Sequence, residues 1–112
     1  MEPDRARELL SAERKRIERA LADLRNEDDG ELTTIDQHLG DEASTLYQNE
    51  LDQSLAERLR DELEGVKRAE RRLADGTYGL SVESGQPIPD ERLEAFPTAE
   101  RTAEEEARRE RG

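Results

Sequence analysis

The 112-residue chain contains no cysteine, no tryptophan and a single histidine, His38. Without thiols it can form neither a disulfide nor a thiolate metal site. Aromatic residues make up 3% of the chain (Tyr47, Tyr78 and Phe96) and hydrophobic residues 31%. Ordering each residue costs about 1–2 kcal/mol of backbone entropy, so this little apolar surface argues against one compact core. No apolar run approaches the roughly 20 residues of a membrane span. The start, Met1-Glu2-Pro3-Asp4, lacks the apolar stretch of a signal peptide, so a cytoplasmic protein that avoids membranes is expected. Basic residues are outnumbered too: 18 Lys and Arg face 30 Asp and Glu, a net charge of -12. That balance argues against direct nucleic-acid binding, which needs cations to displace counterions from phosphates. There is no Gly-rich phosphate loop, and too few apolar residues to wall a pocket, so no enzymatic activity is expected.

What the chain has in abundance is charge, at 43% of residues, a composition shared by elongated helical proteins and disordered ones. Periodicity separates the two. Between Pro3 and Arg25, Ala6, Leu9, Leu10, Ile17, Ala20, Leu21 and Leu24 recur at helical steps. A second stripe runs Leu46, Leu51, Leu55, Leu59, Leu63, Val66, Ala69 and Leu73, and stops at Asp75-Gly76. Each stripe is too narrow to be buried alone, so the two are expected to pair as an antiparallel coiled coil. Turn formers between about Asn26 and Asp41 read as an irregular tip. A second helix of about 34 residues would extend roughly 50 Å at 1.5 Å per residue, the proportions of a finger.

The expected fold class is therefore mainly α. Residues 1–77 form the coiled-coil hairpin, with its tip at about 26–43, and residues 78–112 form a small irregular lobe with a C-terminal helix. Gly79, Gly85, Pro87 and Pro89 mark the lobe as irregular or hairpin-like, and Thr98 is the expected N-cap of the last helix. Charge is uneven along the chain. Residues 26–64 hold thirteen acidic groups against Arg58 and Arg60, so nearly all of the surplus negative charge lies there. Two readings stay open: a solvated face of a narrow coil, or a surface made for a cationic target such as a basic channel or a Mg²⁺ ion.

The run Tyr78-Gly79-Leu80-Ser81-Val82-Glu83-Ser84-Gly85, followed by Arg92-Leu93-Glu94-Ala95-Phe96-Pro97-Thr98-Ala99, resembles the DksA/TraR family of bacterial transcription regulators. Members of that family carry Tyr-Gly-x-Cys-x-x-Cys-Gly, then Arg-Leu-Glu-Ala-x-Pro-x-Ala, then a second Cys-x-x-Cys. The resemblance extends over most of the chain. It implies a regulator, active in stress responses, that binds RNA polymerase through its secondary channel. The family's acidic tip motif Asp-x-Ala is matched by Asp41-Glu42-Ala43, with Asp36 as a further tip candidate. Locally, Asp41 also reads as a plain helix N-cap and Ala43 as a good helix former. The family's zinc cysteines correspond to Ser81, Ser84, Thr102 and Glu105, a set too hard and too neutral for zinc, so no zinc is expected. Tyr78, Leu80, Val82, Ile88, Leu93 and Phe96 are expected to pack together in its place, with the Ser81, Ser84 and Thr102 hydroxyls making hydrogen bonds. The family's response to the alarmone guanosine tetraphosphate relies on basic residues. The matching positions here are Gly65, Phe96 and Glu106, so weak or absent dependence is expected. The alternative reading is a coiled-coil adaptor that no longer acts on RNA polymerase. Because a hairpin buries both stripes within one chain, a monomer is expected.

Overall fold

The computed structural model describes the backbone of residues 1–30 and 42–112 and the side chains of residues 1–24 and 50–112. Helix α1 runs Pro3–Gly30 and helix α2 Glu42–Asp75, followed by the short α3, Asp90–Ala95, and by α4, Ala103–Arg111. The fold is mainly α, an antiparallel coiled-coil hairpin with a small lobe and a terminal helix. Helix α1 continues five residues past Arg25, through the segment whose composition reads as the start of the tip. Helix α2 has 34 residues and ends where glycine is needed. Gly76 adopts φ +81°, and the Thr77 and Tyr78 amides both donate to the Arg72 carbonyl, which closes the last turn.

The chain divides into two compact units, and the divisions cross both long helices. The first comprises Met1–Arg14 and Glu64–Gly112. Its core consists of Ala6 and Leu10 from α1, Val66 and Ala69 from α2, and Ile88 and Leu93 from the lobe. Arg14 grips Glu70 across the helix pair with two hydrogen bonds, at 2.7 and 3.2 Å. The second unit, Lys15–Leu63, buries Ile17 and Leu59, and its helices are bridged by Arg16 and Glu62 at 3.5 Å. Leu51 and Leu55 belong to the apolar stripe but remain 46% and 43% exposed.

The lobe departs from expectation in three places. It contains a helix, α3, where only turns and apolar residues are read. Its core is smaller than the apolar residues allow: Ile88 and Leu93 are buried and Tyr78 is half-buried, but Leu80, Val82 and Phe96 face solvent, Phe96 at 61%. Finally, α4 is capped by Thr102 and not by Thr98. Thr102 has a glutamate three residues on, which completes a reciprocal capping box, whereas Thr98 is followed at that spacing by Arg101, which has no acceptor to return.

Candidate functional site

Asp36, Asp41 and His38 lie outside the described residues. Glu42 is the first residue of α2 and Ala43 the second, and their side chains also lie outside the described set. The part of the candidate site built in detail is the lobe.

There, Ser81, Ser84, Thr102 and Glu105 converge. Two connections bring them together. The Ser81 amide donates to the Gln86 carbonyl at 2.8 Å and the Gly85 amide to the Ser81 carbonyl at 2.9 Å, folding residues 81–86 into a tight turn beside the Leu80–Pro87 bridge. Gly85 supplies the positive φ, +76°, that this turn needs. The Val82 amide then donates to the Glu100 carbonyl at 2.8 Å, laying the turn against the segment that leads into α4. The Ser81 hydroxyl accepts from the Glu83 and Ser84 amides at 3.1 and 3.3 Å, and the Ser84 hydroxyl accepts from the Gln86 amide at 3.2 Å. On the other side, Glu105 Oε1 accepts from the Thr102 amide at 2.8 Å, and Thr102 Oγ1 accepts from the Glu105 amide at 3.2 Å. Ser81, Thr102 and Glu105 are the buried polar residues of the described set. Hydrogen bonds from Ser81, then Ser84, then the Thr102 backbone push the Glu105 carboxyl down to about 2.

A second polar centre joins the lobe to α2 within the same unit. Glu100 receives Arg68 through two hydrogen bonds, at 3.2 and 3.3 Å, and Arg72 Nη1 at 3.2 Å. Burial works against the Glu100 carboxylate, but the hydrogen bond from Arg68 and the charges of Arg68, Arg72 and Arg101 outweigh it and lower its pKa. Arg72 is itself mostly buried, which pulls its pKa down against the pull of Glu100. The Tyr78 hydroxyl donates to the Pro97 carbonyl at 2.8 Å, tying the two ends of the lobe. Neither Glu100 nor Arg72 stands out in the sequence. The usable signal is the pairing of Arg68 and Arg72 at i,i+4, which puts two cations on one face of α2 and calls for an acid opposite.

Of the three positions matched to alarmone contacts, Gly65 is buried in α2, Phe96 is exposed under the Arg92 guanidinium at 5.8 Å, and Glu106 pairs with Arg101 at 3.9 Å. Among the described residues, no cluster of three or more His, Cys, Asp or Glu side chains is placed to hold a metal, and no helix is long and apolar enough to cross a membrane.

No protein-family model matches the chain. Its sequence is 40% identical over 99 residues to general stress protein 16O of Bacillus subtilis, covering 88% of this chain and 58% of that protein. It is 40% identical over 73 residues to the RNA polymerase-binding transcription factor DksA of Caulobacter vibrioides, covering 65% of this chain and 51% of that protein. Among solved structures, transcription factor DksA2 from Pseudomonas aeruginosa matches 92% of this chain and 84% of its own, with a TM-score of 0.59 and 30% identity. The chain belongs to the DksA/TraR-like family. It spans a little over half the length of these two curated relatives.

Proposed function

We propose that this protein is a non-enzymatic transcription regulator that binds RNA polymerase. In this reading it inserts the acidic segment joining α1 and α2 into the polymerase secondary channel and so modulates transcription initiation. The observation that carries the reading is the match to the DksA2 structure over 92% of this chain and 84% of that one, at a TM-score of 0.59. Charge supports it: thirteen acidic groups against two arginines in residues 26–64 suit a cationic channel. Asp41 and Ala43 are the residues assigned to the contact, with Glu42 and Asp36 beside them. A carboxylate at the start of a helix is favoured by the dipole and is free to accept hydrogen bonds or to touch the outer shell of a metal ion, and alanine permits close approach. The alarmone is not needed in this reading, because Gly65, Phe96 and Glu106 offer no cation for phosphate.

The test is in vitro transcription and pull-down with purified RNA polymerase. Wild type is expected to retain the polymerase and change initiation, and Asp41→Asn or Ala43→Thr to lose the effect on initiation. Failure of the wild-type chain to retain polymerase would leave the adaptor reading in its place.

A further inference from the structure

The DksA/TraR resemblance implies a structural zinc at Ser81, Ser84, Thr102 and Glu105, and the residues present do not fit one. Structural zinc sites are tetrahedral sets of thiolate and imidazole, and this set is three neutral hydroxyls and one carboxylate. Their oxygens are also already engaged. Ser81 Oγ takes two backbone amides, Ser84 Oγ takes one, Thr102 Oγ1 takes the Glu105 amide, and Glu105 Oε1 takes the Thr102 amide.

We infer that the buried Glu105 carboxylate does the work of a metal ion in this lobe, cross-linking the turn at residues 81–86 to the start of α4 so that the lobe folds without metal. The argument rests on what a metal does in such a module. It gathers two distant chain segments onto one charged centre and leaves the amides around each ligand donating to it. Both features are present here with the sign of the charge reversed. The hydroxyl oxygens at the ligand positions accept from the amides of their own turns, and because the inferred centre is an anion, their hydrogens are the groups assigned to it. A hydroxyl can do both at once, since it carries one donor and two acceptor sites. The Glu105 side chain returns the capping hydrogen bond at the head of α4, and the Val82 amide bonded to the Glu100 carbonyl lays the turn at residues 81–86, with its buried Ser81, against the segment that leads there. The depressed pKa of Glu105 agrees with an anion held by hydroxyl and amide donors. This inference concerns the folding of the lobe and stands apart from the polymerase reading.

Elemental analysis of the purified 112-residue chain, together with amide hydrogen exchange with and without a strong chelator, tests it. The expected result is no stoichiometric metal and unchanged protection of the Glu83, Ser84, Gln86 and Glu105 amides in chelator. Glu105→Ala is expected to speed exchange at those amides by about tenfold or more, the size of one lost hydrogen bond, with the far-ultraviolet signal of α1 and α2 retained. Glu105→Gln keeps an acceptor for the Thr102 amide while losing the charge, and is expected to fall between Glu105→Ala and wild type. One bound metal per chain with chelator-induced loss of protection would overturn the proposal. So would unchanged exchange in both Glu105 variants.

Discussion

Arg72 and Glu100 meet at 3.2 Å, with the arginine side chain 14% exposed and the glutamate side chain 24% exposed. Arg72 Nε and Nη2 are buried and find no acceptor among the described residues, so Glu100 is the group that compensates the buried guanidinium. Because Arg68 shares the same carboxylate, one acid holds two cations of α2 against the lobe.

Removing that acid should be costly. Glu100→Ala leaves Arg72 with a buried charge and no counterion, and the loss is expected to be about 2 kcal/mol of unfolding free energy. Glu100→Gln should recover only part of it. Chemical denaturation followed by circular dichroism measures both. A change for Glu100→Ala no larger than that for a substitution at exposed Glu104 would show that the cluster contributes nothing.

The split between buried and exposed apolar residues in the lobe makes a second expectation. Leu93 is 1% exposed, so Leu93→Ala should cost about 2–5 kcal/mol through lost burial and the cavity left behind. Phe96 is the larger side chain but sits on the surface under Arg92, and Phe96→Ala should cost less than about 1 kcal/mol. Parallel thermal melts of the two variants decide it; equal losses would place Phe96 in the core.

Gly65 offers a stabilising change. It lies inside α2 with no positive φ, and a methyl group there would meet nothing closer than Arg68 Nη2 at 3.6 Å. Gly65→Ala should therefore gain about 0.5–1 kcal/mol by lowering the entropy of the unfolded chain. A higher midpoint in denaturant at unchanged slope is the expected signature, and a lower one would reveal a close approach that this packing lacks.

Acid should loosen the lobe over a defined range. The Glu105 carboxyl sits at about 2, against an ordinary value of 4.5, and those of Glu94 and Glu100 are lowered as well, by Arg5 in the first case. A carboxyl with a depressed folded-state pKa binds its proton more weakly in the folded chain. The unfolded chain therefore takes up protons first as pH falls. The stabilisation is fully present above about 4.5 and drains away as pH drops toward 2. Hydrogen exchange at the Ser84 and Glu105 amides, followed from neutral pH into this range, should show protection falling. In Glu105→Gln that fall should be shallower, because the group that takes up the proton is gone.

Helix α2 was legible almost to the residue, because its leucine spacing and the Asp75-Gly76 stop are local signals. The convergence of Ser81, Ser84, Thr102 and Glu105 followed from the family pattern, which carries long-range pairing that no local propensity contains. Helix α3 was missed because six residues of mixed charge bounded by prolines carry no helical period. The Thr98 cap was misplaced because two threonines four residues apart both satisfy the local rule until their N3 partners are compared.

Sequence alone determined that this chain is a charged helical hairpin with an acidic middle, since hydrophobic period, glycine stops and charge count are properties of neighbouring residues. Only the tertiary structure decided which apolar side chains of the lobe are inside, and that Glu100 and Glu105 are its polar centres. The physical reason is that burial and counterion choice depend on which distant segments share a few cubic ångströms. The Val82–Glu100 backbone hydrogen bond and the Arg68–Arg72–Glu100 cluster set that proximity.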